Sequence, residues 1–475
     1  MSASRTPNPL IRLLEEIFSR SHSENSGKTM LLRFTVQNAY CFGAESVLSM
    51  VATNDDRHPS HVTQGPDGRP NSLRLAALYG ANGHGKTNLV RAISALQDLV
   101  AEQKWSVPRF KLDPDLGKEP TRMVIEFRQG EFDYEYGVVV NGKIVSEEWL
   151  FRTDGSGKEI LLFERTSKKN NDSFETSLVP GDSLKREPSP VKGLKMSKYL
   201  EVLSAGLKEN RPFLSELDER KIPLLDPAYE WITKKLVTIT ATSNYAPLFD
   251  RVGRDEEFRK FLEGFLRRCD VGISNLSSRT IKLDSAFSEK LPDHFMQQIS
   301  SMEADECLHV KGDDGISFVL DRDANGEIAM RSLEAVRLDT RGEKVEFSFD
   351  EESSGTRRML DLAPMIADPK DDRVYVVDEL DRKLHPMLSY RFVEEFLRKG
   401  AGQLVLTTHN THLMDLDLLR RDEIWFIQKR PDGSSDLYSL AEMKIRPDLN
   451  VRKGYINGRF GAIPFLGNPD AMVEC

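Results

Sequence analysis

Hydrophobic and polar positions divide this chain into a strand-rich first part, a mostly helical middle and a last part of alternating strands and helices. Alternating or continuous short apolar runs are typical of strands, and apolar residues three or four positions apart are typical of helices. The first part predicts strands at residues 31–36, 75–79, 123–127, 132–140, 143–151 and 159–165. The Asn141-Gly142 dipeptide predicts a hairpin turn, and the polar run 167–172 is interpreted as a solvated loop.

Helical periodicity dominates the middle of the chain. Residues 199–207, 227–237 and 256–269 carry apolar faces at helical spacing, and no heptad pattern is long enough for a coiled-coil arm. From residue 307 onward strands and helices alternate in the manner of a parallel sheet. We therefore predict a flexible N-terminal extension at 1–29, a strand-rich lobe at 30–183, a mainly helical insertion or lid at 184–302, and a second lobe at 303–475.

Composition narrows the class of protein. The chain has 475 residues and a formal net charge of −9, which argues against a surface that coats nucleic acid but permits a local basic groove. The four cysteines form no C-x-x-C pair, so free thiols in a reducing cytoplasm are expected. No apolar run approaches the roughly 18 residues needed to span a bilayer. We expect a soluble cytoplasmic protein, with translation starting at either Met1 or Met30.

The strongest chemical signal is the loop at residues 80–87, which matches G-x-x-x-x-G-K-[ST] in full. It lies between a predicted strand and a predicted helix, so backbone N–H groups and the helix dipole would converge on an anion. Lys86 would reach the β- and γ-phosphates of ATP, and the Thr87 hydroxyl would ligate Mg²⁺. The residues predicted to contact the nucleotide here are Gly80, Asn82, Gly83, Gly85, Lys86, Thr87 and Asn88.

Two later strands end in residues that complete such a site. The apolar run 373–377 is followed by Asp378, a predicted Mg²⁺ ligand, and Glu379, a predicted general base for the attacking water. The next apolar run, 403–408, ends at His409, which would contact the γ-phosphate and the attacking water. Asn410 and His412 are weaker candidates, and His412 is also interpreted as a cap of the next helix.

Small polar residues before the acidic strand predict a second anion-binding helix start. Ser353 and Gly355 stand at the beginning of an apolar periodic run that leads toward Asp378. A hydroxyl and a glycine at a helix start expose backbone donors there. We interpret this segment as a second phosphate-contacting element.

The order of these motifs resembles the ABC class of ATPases, and within it the SMC and recombination-repair branch. The chain is more closely similar to the AAA-type ATP-binding proteins of bacterial phage-defence operons, the RloA, abortive-infection and PARIS AriA-like group. The segments that carry this likeness are residues 30–34, 378–386 and 454–464. The resemblance implies an α/β ABC-type ATPase head with a mixed sheet, a P-loop core split along the chain, and a helical insertion.

The resemblance also implies residue roles and partners. Ser353 and Gly355 match the ABC signature, which contacts ATP held by a second protomer; Asp381 matches the D-loop and His409 the switch histidine. Ser354 and Thr356 depart from the transporter pattern of Gly and Gln. The implied partners are a second copy of the chain, an effector protein encoded nearby, and a phage trigger protein or DNA. The glutamine of the Q-loop and the adenine contacts are not assigned, since Gln97 and Gln103 lie too close to the predicted P-loop helix.

Three functions compete. The first is an ATP-driven sensor in anti-phage defence, and the second is a DNA-handling ATPase that needs a basic groove. Candidates for that groove are Lys185, Arg186, Lys192, Lys195, Lys198, Arg254, Arg259, Lys260, Arg267 and Arg268. The third, a fused nuclease, is disfavoured because few residues follow His409 and because Asp415 and Asp417 resemble a helix start.

Overall fold

Three sheets organise the described part of the chain. The computed structural model describes residues 28–153, 157–170, 173–218, 220–240, 252–253, 255–282, 307–311, 317–322, 328–367, 372–444 and 449–464. Residues 1–27 of the predicted extension 1–29 and the groove candidate Arg254 lie outside these ranges. Among the described helices, none has both the length and the apolar character needed to cross a membrane.

The first sheet is antiparallel and seven-stranded, in the order β10-β9-β8-β7-β6-β1-β2. Its strands are β1 (Met30–Gln37), β2 (Ser46–Ser49), β6 (Thr121–Gln129), β7 (Phe132–Asn141), β8 (Ile144–Thr153), β9 (Glu159–Asn170) and β10 (Ser173–Pro180). The predicted hairpin is confirmed: Asn141 pairs with Ile144, and Gly142 supplies the left-handed turn conformation. The polar run that we interpreted as a loop is instead the end of β9 as far as Asn170, because Lys168 pairs with Glu175 across the sheet.

The second sheet is the centre of the molecule, and it has the order β11-β17-β18-β5-β19-β20. Its strands are β5 (Leu75–Tyr79), β11 (Leu236–Ile239), β17 (Val374–Val377), β18 (Gln403–Thr407), β19 (Ile424–Lys429) and β20 (Ser435–Ser439). All neighbours pair in parallel except β19 and β20, which pair antiparallel. This mixed sheet within an α/β fold agrees with the predicted fold class.

The third sheet departs from the predicted pattern. Strands β12 (Asn275–Lys282), β13 (Cys307–Lys311), β14 (Ser317–Arg322), β15 (Ile328–Leu338) and β16 (Lys344–Ser348) form an antiparallel sheet. The parallel β–α–β pattern therefore begins only at β17, not at residue 307. Two short strands, β3 (Val62–Thr63) and β4 (Ser72–Leu73), pair separately.

The predicted helical middle contains a strand of the central sheet. Residues 227–237 were predicted as one helix, but a short helix and a π-helical turn, Trp231–Lys235, lead directly into β11. Leu236–Ile239 pairs with β17 along its whole length. No Gly, Pro or Asn separates this four-residue strand from the helix before it. Its apolar residues also fit the helical period, and the prediction therefore extended the helix through it. The domain boundaries given above stay a prediction.

Helices cover the central sheet on both faces. The described α-helices are α1 (Lys86–Glu102), α2 (Asp182–Arg186), α3 (Met196–Gly206), α4 (Asp226–Glu230), α5 (Glu256–Arg268), α6 (Ser354–Leu362), α7 (Pro364–Ala367), α8 (Pro386–Lys399) and α9 (Val451–Ile456). Of these, α2 and α3 pack against β9 and β10 of the first sheet. Short 3-10 helices lie at Pro59–His61, Pro66–Gly68, Leu116–Lys118, Leu214–Asp218, Phe349–Glu351, Thr411–Leu413, Arg421–Glu423 and Leu440–Glu442.

Side chains of one central strand alternate between two hydrophobic cores. Ala76 and Leu78 of β5 face the core shared with α1 and the antiparallel sheet. Leu75, Ala77 and Tyr79 face the other core, which includes α6, α8 and α9. A parallel sheet covered on both faces is buried throughout, which explains the uninterrupted apolar runs in its strands.

A buried carboxylate ties the antiparallel sheet to the segment that packs on α1. Glu148 of β8 accepts the backbone N–H groups of Phe213 and Leu214 at 2.6 and 3.0 Å, and Arg165 Nε lies 3.9 Å from it. Burial raises the pKa of the Glu148 carboxyl, and Arg165 opposes that effect. The 3-10 helix Leu214–Asp218 then reaches α1, where Ser215 donates to the Leu99 carbonyl at 3.4 Å.

Replacing Glu148 by Ala should lower the free energy of unfolding by about 3–5 kcal/mol, because the buried Arg165 guanidinium loses its countercharge and two buried backbone donors lose their acceptor. Urea unfolding followed by circular dichroism measures the change. Glu201→Ala is the control, since it removes an equally charged partner of an exposed pair with Lys198. Equal unfolding midpoints for the two variants would contradict the role given to Glu148.

Candidate functional site

The loop between β5 and α1 has the conformation that a phosphate cradle requires. Gly83 and Gly85 both have left-handed φ, 77° and 113°, and Gly85 is the N-cap of α1. A Cβ on Gly85 would lie 2.6 Å from Cys41 Sγ, and one on Gly80 would lie 2.5 Å from the Ile427 carbonyl oxygen. The glycines of the motif are therefore needed both for backbone conformation and for close packing on β19 and β20.

Lys86 lies in the centre of this loop, and its side chain is mostly buried. Its ammonium donates to the carbonyl of Gly80 at 2.7 Å and to that of Ala81 at 3.3 Å. Burial lowers the pKa of Lys86, and nearby carboxylates oppose that effect. Those carboxylates belong to Asp378, Glu379 and Asp381. The structure thus brings the loop lysine and the acids that follow β17 into one electrostatic unit.

The ends of β17 and β18 are joined by one hydroxyl. Thr407, fully buried, donates from Oγ1 to Asp378 Oδ1 at 2.6 Å and accepts the backbone N–H of Glu379 at 2.8 Å. Asp378 is 3% exposed. Glu379 has a left-handed φ of 46°, which a non-glycine residue keeps only where its surroundings hold it. Thr407 therefore fixes the carboxylate of Asp378 and the backbone of Glu379 together, which the sequence did not reveal.

The turn after Glu379 connects to His409. The backbone N–H of His409 lies 3.3 and 3.2 Å from the two carboxylate oxygens of Asp381, and it donates to that carboxylate. Partial loss of hydration lowers the pKa of the His409 imidazole, and the ammonium of Lys86 lowers it further. A lowered pKa favours the neutral imidazole at pH 7, and His409, an exposed residue, lines the cavity beside the loop.

Ser353 and Gly355 lie at the start of α6, which packs against the same turn. Ser353 Oγ accepts the N–H of Thr356 at 3.1 Å, and the two hydroxyl oxygens are 2.9 Å apart. A Cβ on Gly355 would lie 2.8 Å from the carbonyl oxygen of Lys383, so only glycine permits this approach. Thr356 differs from the glutamine of the transporter pattern. It has a structural role here, because its hydroxyl and its backbone N–H both contact the Ser353 hydroxyl at the start of α6.

One further residue of α6 reaches the acidic strand. Arg358 is buried and donates from Nη2 to the backbone carbonyl of Asp378 at 3.4 Å. Burial lowers the pKa of the Arg358 guanidinium, and Asp361 opposes this effect most strongly. Arg358 therefore links the helix of Ser353 to the end of β17, and sequence reasoning did not identify it.

A cavity of about 500 Å³ lies beside the loop. Its described lining residues are Gly80, Ala81, Asn82, His84, His409, Tyr455 and Pro464. The last two belong to a C-terminal segment that sequence reasoning noted only as a mark of resemblance. The structure thus brings the loop and His409 to the same cavity, as predicted for a shared ligand. Tyr455 and Pro464 form another side of this cavity, which was not predicted.

Several weaker candidates have structural roles. Asn410, not His412, caps the following 3-10 helix, accepting the His412 N–H at 3.0 Å; the imidazole of His412 lies 3.1 Å from the guanidinium of Arg452. Gln97 donates to the carbonyls of Ile232 and Leu236, and so holds α1 to the segment that leads into β11. Gln103 has a left-handed φ of 57° at the end of α1.

The donor set fits a hard divalent cation bound together with phosphates. Thr87 supplies a hydroxyl at the start of α1, and Asp378 supplies a carboxylate of which Thr407 engages one oxygen, Oδ1. Hydroxyl and carboxylate oxygens are the ligands that Mg²⁺ takes, and it usually shares them with water and substrate phosphates. The residues present therefore fit magnesium in the company of a nucleotide.

The lowered pKa of His409 gives a pH prediction. The imidazole should become protonated only below its ordinary pKa of 6.5, because partial loss of hydration and Lys86 disfavour the charged form more than Asp381, Glu379 and Asp378 favour it. NMR of the histidine-labelled protein measures this pKa, with His409→Gln identifying the signal. Lys86→Met should raise the pKa, since it removes a positive neighbour while the carboxylates remain. A wild-type pKa at or above 6.5 would contradict the electrostatic arrangement described here.

Comparison with known proteins identifies the family. Residues 75–415 match the family model described as "AAA domain, putative AbiEii toxin, Type IV TA system". No curated protein matches the chain.

Among solved structures, an SMC head bound to the C-terminal winged-helix domain of ScpA is 15% identical, with TM-score 0.38, over 87% of this chain and 99% of that chain. The SMC head domain from Thermotoga maritima is 13% identical, with TM-score 0.33, over 86% of this chain and 98% of its own. An Smc head from Pyrococcus furiosus, with an extended coiled coil and the C-terminal domain of ScpA bound, is 12% identical, with TM-score 0.33. The match covers 86% of this chain and 96% of that chain.

At these identities and TM-scores the structural likeness carries no functional inference. The family match, by contrast, covers most of the chain, including the P-loop strand and the strands that carry Asp378 and His409. The protein therefore belongs to the AAA-domain family of the AbiEii-toxin type, and it carries a nucleotide-binding P-loop ATPase domain.

Proposed function

We propose that this protein is an ATP-hydrolysing switch of bacterial anti-phage defence, completed as a homo-oligomer and controlling a partner effector protein. The observation that carries the proposal is the convergence of Lys86, Asp378, Glu379 and His409 on one edge of the central sheet. Buried charge of both signs is costly unless it serves a ligand or is fully paired. A nucleoside triphosphate with a cation matches this arrangement of charges.

In this proposal the loop and the start of α1 bind the phosphates of ATP. The backbone N–H groups of residues 80–88 and the Lys86 ammonium contact the phosphate oxygens. Lys86 now donates to two loop carbonyls, so it exchanges those acceptors for phosphate oxygens when ATP binds. Magnesium held by Thr87 and Asp378 would neutralise charge on the phosphate oxygens.

Hydrolysis is an in-line attack by water on the γ-phosphorus. Glu379 accepts a proton from that water while the new oxygen–phosphorus bond forms and the bond to the β–γ bridging oxygen breaks. Neutral His409 donates a hydrogen bond to the γ-phosphate and so helps to hold the water in line. The left-handed backbone of Glu379, held by Thr407, keeps the carboxylate in place before ATP arrives.

A second protomer completes the site in this proposal. Ser353 is exposed at the start of α6, and neither it nor Gly355 lines the cavity of its own chain. A helix start that carries free backbone donors suits a γ-phosphate bound by another copy. Half-buried Asp381 would lie at the same interface, because the next two residues of its turn, Arg382 and Lys383, are exposed.

The role in defence is supported by the family description, which names a toxin of a type IV toxin–antitoxin system. Closure on ATP and opening after hydrolysis would transmit a signal to an effector protein encoded nearby, in response to a phage trigger protein or DNA. The alternative is an ATPase that acts on DNA. Exposed lysines and arginines at 185–198 favour it, although Lys185 and Lys198 each pair with an acidic neighbour.

Thr407→Val should lower the kcat of ATP hydrolysis about 10- to 100-fold, the usual cost of removing a group that orients a metal ligand. Valine keeps the shape of threonine but loses both hydrogen bonds to the Asp378–Glu379 pair. Thr407→Ser retains the hydroxyl and should recover most of the activity. Steady-state kinetics at varied ATP and Mg²⁺ measure both effects. Equal rates for the valine and serine variants would contradict the positioning role.

Completion of the site across two chains is tested by mixing two inactive variants. Glu379→Gln removes the base, and Ser353→Arg blocks the surface offered to the partner's ATP. In a mixed dimer one site carries both defects and the other carries neither. Random mixing should therefore restore about one quarter of wild-type turnover, for independent sites in a two-fold dimer.

The same assay follows wild-type turnover per protomer as protein concentration increases. A rise with concentration is expected when the site needs a second chain, and it should be absent in Glu379→Gln. If mixing restores nothing while Ser353→Arg alone retains full activity, each chain completes its own site and the dimer model is wrong.

A further inference from the structure

Residues 450–464, which follow β20, are held in place by hydrogen bonds. Asn450 caps α9 by accepting the N–H of Lys453 at 2.8 Å. After α9 the chain turns back, and the hydroxyl of Tyr455 donates to the carbonyl of Ala462 at 3.0 Å. Tyr438 of β20 donates to the Phe460 carbonyl at 2.7 Å. We call residues 450–464 the tail.

Two neighbouring residues of the tail, Gly461 and Ala462, have left-handed backbone conformations. Gly461 has a left-handed φ of 71°, and a Cβ there would lie 2.2 Å from Gln428 Oε1 on β19. Ala462, which is buried, has a left-handed φ of 55° without being glycine. Such a conformation is unfavourable for a residue with a Cβ and persists only where the surroundings fix it. The tail is therefore held tightly against the edge of the central sheet.

The tail forms a wall of the cavity beside the loop. Tyr455 and Pro464 line it together with Gly80, Asn82 and His409. Tyr455 also packs on Tyr79, the last residue of β5, with ring centroids 6.0 Å apart. The tail contributes an aromatic ring and a proline to the cavity, whereas the loop contributes backbone polar groups.

A second observation lies at the same place. The Tyr79 hydroxyl is buried and has no hydrogen-bond partner among the described residues. Burial raises its pKa well above the ordinary value, with further contributions from Asp381 and Tyr455. A buried hydroxyl without a partner is costly in a finished core. Through its ring contact with Tyr455, Tyr79 connects the end of β5 to the tail.

We propose that the tail belongs to the nucleotide-binding site and forms the apolar wall that faces the phosphates of bound ATP across the cavity. This inference rests on the proposed function, since it takes ATP as the ligand. An apolar wall excludes water and strengthens the interactions between the loop donors and the phosphates. ATP in turn stabilises the tail, because opening the tail would expose the bound nucleotide.

Limited digestion with trypsin tests this coupling on the full wild-type chain. Lys453 and Arg459 are exposed in the tail, and Lys192 is exposed in the connection between α2 and α3, remote in sequence from the cavity lining. Saturating Mg²⁺ with the imido analogue of ATP should slow cleavage after Arg459 about tenfold or more, because ligand binding suppresses opening in proportion to occupancy. Cleavage after Lys192 should be unchanged.

A substitution that fills the cavity gives an independent readout. Pro464→Trp should weaken binding of a fluorescent ATP analogue about tenfold or more, since an indole would occupy space beside the loop. Ile456→Trp is the matched control, because Ile456 is exposed on α9 and does not line the cavity. It should bind the analogue like the wild type. Thermal unfolding of both variants reports whether they fold.

The outcomes separate this inference from the proposed function. Failure of the wild type to bind the ATP analogue would overturn the proposed function. Normal binding with unprotected Arg459 would overturn the role of the tail alone and leave the proposed function standing. If Pro464→Trp does not fold, digestion of the wild type still decides the question.

Discussion

The site depends on three parallel strands lying side by side, with their carboxyl ends at one edge of the sheet. Strands β17, β18 and β5 are direct neighbours, so the residues that follow them must meet, although they lie up to about 330 positions apart along the chain. The Thr407 hydroxyl fixes the ends of β17 and β18 relative to each other, because it hydrogen-bonds both the Asp378 carboxylate and the Glu379 backbone N–H. The antiparallel sheet and the segment held by Glu148 support α1 from behind, and so position the loop against this edge.

Electrostatics gives this edge its chemistry. Lys86 is buried, and its charge is compensated partly by the carboxylates after β17 and partly by two carbonyls of its own loop. In the proposed function, phosphate oxygens would replace these neutral carbonyl acceptors with charged ones, and hydrogen bonds to charged acceptors are stronger. Partial loss of hydration lowers the pKa of the His409 imidazole, and the same ammonium lowers it further, while the carboxylates of Asp381, Glu379 and Asp378 oppose both effects. Lys86 therefore acts electrostatically on the acids after β17 and on His409 together.

Local patterns predicted much of this arrangement, and long-range contacts supplied the rest. The glycine loop, the acids after β17 and the position of His409 could be predicted because each is a strand end followed by a turn. Strand β11 could not, because four apolar residues directly after a helix fit the helical period as well as the strand period. The polar end of β9 is a strand because it pairs with β10, a strand that follows it in the chain. A polar run read alone carries no sign of this pairing. Thr407, Arg358 and Tyr455 had no local signal, since their roles come only from the elements they contact.

One turn connects the two halves of the proposed mechanism. Residues 379–384 carry the base Glu379, the partner of the His409 backbone, and Lys383, whose carbonyl lies against Gly355 at the start of α6. In an ATP sandwich, Glu379 acts on ATP of its own chain, whereas Ser353 and Gly355 contact ATP of the other. Movement of the turn on hydrolysis would press on Gly355 directly, because no side chain separates them. In the proposed dimer, the glycine at position 355 would therefore give the two nucleotide sites a short mechanical connection through this contact.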